Sequence, residues 1–246
     1  MENRLSRTTL LLGEKHMRVL AHSHVMVVGC GAVGSYAIEA LARGGVGKLT
    51  LVDFDKVSVS NINRQLIATQ STLGRDKTTV AAERIADICP DIVVRQKRVL
   101  VNENTIESLF DEKTDFVVDA IDSLNPKATL IQYLQEHHIP FISSMGAALR
   151  TDVSKVETTR CKKTKNCPLA FFIRKRLRKR GVSLDFPVVY SSELPDKAHL
   201  AEGIDEHQQG GRIRHQMGSL PTLTGIFGLM CANYVLLNLP TVMQHD

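Results

Sequence analysis

The stretch Gly29-Cys30-Gly31-Ala32-Val33-Gly34 constrains this chain more than any other. It is a G-x-G-x-x-G turn, and the apolar run Val25–Val28 leads straight into it, with the composition of a strand covered on both faces. Such a turn uses its first glycine for a sharp bend. The second lets backbone N–H groups approach a phosphate, and the third lets a helix pack close to the strand. A helix is therefore predicted from Ala32 to about Arg43, its N-terminal dipole and unpaired N–H groups aimed at an anion. A second strand, Lys48–Val52, ends in Asp53, nineteen residues past Gly34, where a carboxylate can accept hydrogen bonds from ribose hydroxyls. Strand, turn, helix, strand and acid in this order describe a nucleotide site.

The residues after Asp53 decide between nucleotides. Asp55, Asn61, Arg64 and Gln65 follow within twelve positions, and Lys77 comes soon after. A dinucleotide needs no cations beyond its pyrophosphate, whereas a triphosphate needs Lys or Arg on its outer phosphates, so ATP is favoured over NAD. Asp76 is placed to cap a helix running to about Ile88, with Lys77 in its first turn. A strand over 92–100 and a short helix over 104–110 come next, then a buried strand over 115–120. Its end carries Asp119 and Asp122, in the crevice where open α/β sheets hold ligands. Asp122 is the better magnesium ligand and Asp119 the better loop brace. A helix from Asn125-Pro126 to about His138 and a strand Phe141–Ser144 complete the expected fold: α/β, a Rossmann-like, mostly parallel sheet with flanking helices.

From Thr151 the composition changes. The net charge of +5 conceals an asymmetry, for ten Lys or Arg and no acid lie between Arg160 and Arg180. Without those ten, 21 basic residues face 26 acidic ones. Positive charge this concentrated is the footprint of a polyanion partner. Within it, Pro168 and Gly181 bracket a helix with Leu169, Phe172, Ile173 and Leu177 on its apolar face. Phe171 is read as core rather than as a base-stacking residue. Strands are predicted over 153–159 and 186–192, and residues 193–214 read as a long mobile loop. Leu220–Met243 is apolar but interrupted by Gly225, Gly228, Asn233, Asn238 and Pro240, so a buried helix fits better than a membrane span. Five cysteines without a C-x-x-C pair suggest neither a zinc ribbon nor a disulfide framework. With no signal-peptide core at the N-terminus, a reducing, cytoplasmic setting is expected.

GCGAVG, LVDFD, SNINRQ and DAIDS, in this order, resemble the superfamily of ubiquitin-activating-enzyme-like (ThiF-type) adenylating enzymes, which activate a carboxylate as an acyl-adenylate. The resemblance implies that Gly29, Gly31, Ala32 and Gly34 form the phosphate turn and that Asp53 takes the ribose. It sets Asp55, Asn61, Asn63, Gln65 and Ser123 beside the nucleotide, Arg64 and Lys77 on the phosphates, and magnesium on Asp122. It also implies a homodimer in which Arg7 reaches the partner's ATP, although a solvated surface arginine, or Arg18 in its stead, remains open. The second half, with MGA, CKKTKNCPLA, RKRLRKRG, VVYSSELP and GSLPTLTGIFG, is similar to the tRNA threonylcarbamoyladenosine dehydratases. That implies ATP-driven ring closure on a modified adenosine beside the anticodon. The anticodon stem-loop would be held by Lys162, Lys163, Lys165, Arg174, Lys175, Arg178 and Lys179, and a sulfur-relay protein is a further partner. Residues 1–150 would then bind nucleotide, and 151–246 would form an α+β extension carrying the basic helix. The rival is an adenylyltransferase for a small sulfur-carrier protein. It usually has paired zinc cysteines and a nucleophilic thiol in a mobile loop, and this chain has no cysteine between Cys167 and Cys231.

Overall fold

The computed structural model describes residues 4–196, 198, 200–207 and 213–242. Seven strands form one sheet: β1 (His24–Val28), β2 (Lys48–Val52), β3 (Val93–Lys97), β4 (Phe116–Asp119), β5 (Phe141–Ser144), β6 (Val156–Arg160) and β7 (Pro187–Ser191). Their spatial order is β3-β2-β1-β4-β5-β7-β6, parallel throughout except for β6, which runs against β7. From β1 the chain winds one way through β2 and β3 and the other way through β4. The carboxyl ends of β1 and β4, with Val28 opposite Asp119, therefore form the crevice where strand order reverses.

Period-two alternation assigns the side chains to two layers. Val25, Val27, Leu49, Leu51 and Val118 face a layer made by α2 (Glu14–His22), α3 (Gly34–Gly44), α4 (Lys77–Ile88) and α7 (Pro221–Val242). Met26, Val28, Val117 and Val188 face α5 (Leu124–Glu136) and α6 (Pro168–Lys179). By length and composition α7 is apolar enough to cross a membrane, yet half of it is buried within the fold. Phe227, Cys231, Val235 and Leu239 are wholly covered. It approaches α3 so closely that a Cβ on Gly228 would lie 2.3 Å from the Val33 carbonyl oxygen. The expectation of a buried helix holds.

Strands at 25–28, 48–52 and 141–144 and the α4 and α6 helices fall where the sequence put them. Other segments differ. The strand expected over 92–100 shrinks to Val93–Lys97, an edge strand with Val93 exposed, and the helix expected over 104–110 is one 3₁₀ turn, Glu107–Leu109. Residues Val153–Lys155 form a 3₁₀ turn before β6 begins. The loop expected over 193–214 instead contains β8 (Leu200–His207), paired antiparallel with β9 (Ile213–Met217), while 208–212 lie outside the described residues. Asp, Glu, Gly, Gln and His dominate this stretch, and the first three of these are depleted in strands, which is why composition alone suggested a loop.

Candidate active site

The glycine turn is held by contacts that side chains would break. Gly29 has φ +96°, and a Cβ there would lie 2.8 Å from the Ala120 carbonyl oxygen. A Cβ on Gly34 would lie 1.7 Å from the Gly29 carbonyl oxygen. At Gly31 the surroundings are open, the nearest atom being Gln65 Nε2 at 3.7 Å. The helix begins at Gly34 rather than Ala32, so Ala32 and Val33 remain in the turn. Asp53 splints this turn: its Oδ2 accepts from the Cys30 N–H at 2.7 Å and its Oδ1 from the Asp55 N–H at 2.8 Å. Burial pushes the Asp53 carboxyl above the usual carboxylate range, against the opposing pull of Lys77 and those two N–H groups.

Lys77 opens α4 nearly buried and donates to Asp55 Oδ2 at 2.8 Å, a pairing the sequence reading did not anticipate. Asp76 does not cap α4 with its side chain; it pairs with Arg98 at 2.6 Å instead. Ser35 of α3 accepts from the Leu66 N–H at 3.1 Å, which fastens the 61–66 segment against the glycine turn. There Asn61 accepts from the Ser58 N–H at 3.2 Å. Gln65 is buried beside Gly31 with its amide oxygen unpartnered. A buried acceptor without a donor beside an open glycine face fits a nucleotide, which brings its own hydroxyl or amino donors. Arg64 sits at the rim and donates to the Ser60 carbonyl oxygen and to Asn63 Oδ1, both at 2.7 Å, while Asn63 donates to the Ser219 carbonyl oxygen at 3.4 Å.

At the end of β4, Asp119 braces the loop. Oδ2 accepts from Lys127 Nζ and from the Ser143 hydroxyl, each at 2.6 Å, and Oδ1 from the Ile121 N–H at 3.1 Å. Asp119 and Lys127 are both wholly buried. Sequence reading missed Lys127, although its spacing with Ile131 and Leu134 (i, i+4, i+7) set it on the apolar face of α5. Asp122 stands exposed three residues past the end of β4, with the Ser123 hydroxyl donating to its Oδ1 at 3.0 Å. Among the described residues no group of three metal-ligating side chains forms. One carboxylate still suffices for a magnesium ion that takes its other oxygens from phosphates and water. Arg7 is not brought to this site. Its helix α1 (Ser6–Leu12) is tied to the far end of α3, where Arg4 donates to the Ala42 carbonyl oxygen at 3.3 Å. Eleven helical residues separate that end from the glycine turn, about 16 Å.

The cationic segment runs from the last residue of β6 through a 3₁₀ turn at Cys161–Lys163 and along α6. Lys162 pairs with Asp185 at 2.9 Å and Arg174 donates to the Thr164 hydroxyl, whereas Lys163, Lys165, Lys175, Arg178 and Lys179 are exposed. The buried face of α6 is Ala170, Ile173 and Leu177. Phe172, expected on that face, and Phe171, expected in the core, are 49% and 53% exposed. Every cysteine is buried. Burial pushes the Cys161 and Cys231 thiols up to about 12 and Cys30 well above its ordinary value, so none of these three is poised as a thiolate.

Three comparisons bear on this geometry. A family model described as the ThiF family matches residues 5–243. The tRNA threonylcarbamoyladenosine dehydratase of Bacillus subtilis is 36% identical over 244 residues, covering 97% of this chain and 95% of the relative. The crystal structure of the Escherichia coli tRNA N6-threonylcarbamoyladenosine dehydratase in complex with ATP superposes with a TM-score of 0.87 at 32% identity, across 99% of this chain and 96% of that one. By contrast, the molybdopterin-synthase adenylyltransferase of Escherichia coli is 35% identical over 133 residues, 54% of this chain and 52% of its own.

Proposed function

This chain belongs to the ThiF family, and from that premise we propose that it is an ATP-dependent tRNA threonylcarbamoyladenosine dehydratase. One observation carries the reading: the likeness to the dehydratases runs through the cationic second half, whereas the likeness to the adenylyltransferase stops at about half of either chain. The burial of all five cysteines agrees with it, since passing an acyl group to a protein by thioester needs an accessible thiolate.

The reaction follows from the chemistry of the substrate. A carboxylate oxygen of the threonylcarbamoyl group attacks the α-phosphorus of ATP, the bond to the β-phosphate oxygen breaks, and pyrophosphate leaves. A nitrogen of the same substituent then attacks the acyl carbon and loses its proton. AMP departs with the former carboxylate oxygen, leaving a five-membered ring. Ring closure is intramolecular, so positioning replaces much of the work of a catalytic base. The open face at Gly31 receives the phosphates, with Ala32 and Gly34 shaping the turn. Asp53 and Gln65 meet the nucleoside, supported by Asp55, Asn61, Asn63 and Ser123. Lys77 is held in place by Asp55, and Arg64 turns from Ser60 toward the departing charge, where a cation contributes most. Asp122 is the residue that would hold magnesium, which supplies charge neutralisation at the phosphates.

Residues 1–150 serve the nucleotide. Within 151–246, Lys162, Lys163, Lys165, Arg174, Lys175, Arg178 and Lys179 grip the anticodon stem-loop through its phosphates. The enzyme works in the cytoplasm as a homodimer, in which Arg7 completes the partner's site. Arg7, Leu10 and Leu11 share one face of α1 by their i, i+3, i+4 spacing, and the two leucines are 88% and 82% exposed. The test is to incubate the purified protein with ATP, magnesium and a threonylcarbamoylated anticodon stem-loop. AMP release and an RNA lighter by one water are expected. Arg64→Ala should lower kcat about 100-fold or more while leaving RNA affinity unchanged. Pyrophosphate exchange driven by a Gly-Gly-terminated protein, and not by the RNA, would replace this reading with the adenylyltransferase.

A further inference from the structure

We propose that the cleft between α6 and the start of α5 holds one unstacked nucleotide of the anticodon loop, its base lying on the Phe172 ring and its flanking phosphates on Lys175, Arg176 and Lys179. This rests on the dehydratase reading and names the contact by which the loop is presented to the nucleotide site. The cleft has a volume of about 250 Å³ and is lined by Leu124, Phe172, Lys175, Arg176 and Lys179. Phe172, Lys175, Arg176 and Lys179 follow the i, i+3, i+4, i+7 spacing of a single helix face, about 10 Å long. That face is separate from the Ala170, Ile173 and Leu177 stripe that anchors α6 in the core. It thus begins with an aromatic ring and continues as three cations, with no acid anywhere between Arg160 and Arg180.

Phe172 has the bearing of a platform rather than of a misplaced core residue. It is half-exposed, and it forms a T-shaped pair with Phe171, with ring centroids 5.3 Å apart and planes at 77°. A T-shaped neighbour restrains the orientation of a ring, and the half of Phe172 left exposed is open to a partner. Bases stack on such faces irrespective of sequence, while neighbouring cations hold the backbone. The position suits the chemistry as well. Ala120 lies directly under Gly29, and four residues later Leu124 forms the wall of the cleft, at most about 14 Å along an extended chain. The wall of the cleft thus stands two residues along the chain from Asp122. A lipid surface would also attract cations beside an aromatic pair, but it is flat, and here the cations line a concavity.

The test uses the full-length protein and an anticodon stem-loop with 2-aminopurine next to the modified adenosine. Stacking on Phe172 should quench its fluorescence on binding. Phe172→Ala should abolish the quenching and weaken binding about tenfold, with the salt dependence unchanged. Phe172→Trp should restore both. Lys175→Ala should instead weaken binding and reduce the slope of log affinity against log salt by about 0.7. Wild-type affinity and quenching in Phe172→Ala would overturn the assignment. So would loss, in that variant, of flotation with phosphatidylserine vesicles while RNA binding stays intact, which would assign the face to lipid. Binding is read independently of AMP release: a protein that binds and quenches the loop but never releases AMP keeps the cleft and loses the dehydratase reading.

Discussion

Gly31 and Gly34 stand three residues apart in one turn and answer to different demands. A methyl on Gly34 would meet a backbone carbonyl at 1.7 Å, and backbone cannot swing aside. Gly34→Ala should therefore destabilise the fold by about 3 kcal/mol or more, read from the urea midpoint. A methyl on Gly31 meets only the end of Gln65 at 3.7 Å, an ordinary contact. Gly31→Ala should leave stability within about 1 kcal/mol of wild type yet weaken ATP binding about tenfold in a titration, because the methyl occupies the phosphate's approach. Equal effects of the two substitutions on stability would contradict this division. Residue types at fixed spacing made the turn legible in the sequence. What could not be read was the second duty of Asp53, whose two oxygens are already engaged by the Cys30 and Asp55 N–H groups. Nothing local marks a carboxylate as a splint for a turn more than twenty residues earlier.

Among the elements, α5 carries the feature with the largest energetic consequence. Lys127 reaches from it into the sheet and shares Asp119 with Ser143 in a fully buried cluster. Lys127→Met leaves the Asp119 charge uncompensated and should cost about 3–5 kcal/mol in chemical denaturation. Adding Asp119→Asn to Lys127→Met should recover a large part of that loss, because the charge that needed a partner is gone. Independent, additive losses would show that the two do not act as a pair. An apolar face between Pro168 and Gly181 located α6, and unbroken apolar runs located the central strands, since burial leaves its mark on composition. The same reasoning failed where burial is not the cause. β3 is an edge strand, β8 and β9 pair through backbone groups, and Phe171 and Phe172 are apolar residues on an exposed face.

For the whole molecule, the question is what α1 is for. It buries none of its own residues, and it displays Leu10 and Leu11 beside Arg7 at the end of α3 remote from the glycine turn. In the proposed homodimer, a second copy of the chain covers those leucines and takes Arg7 into its own site. Arg7→Ala and Arg64→Ala proteins should each be nearly inactive. Unfolded and refolded together, they should regain about a quarter of wild-type turnover, as half of the dimers are mixed and each mixed dimer has one intact site. No recovery, or a monomer by sedimentation, would return Arg7 to the solvated surface.

β5 is bonded to β7 and β7 to β6, so the strands on either side of the cationic helix continue the same sheet that carries the glycine turn. On the proposed reading, an RNA arm mounted this way cannot swing like a jaw. The protein is an anvil rather than a clamp, and the distance between the two substrates is set before either arrives. Whatever bending brings the threonyl carboxylate to the triphosphate has to be done by the anticodon loop. A loop too stiff to open would then be spared, however well its stem is held.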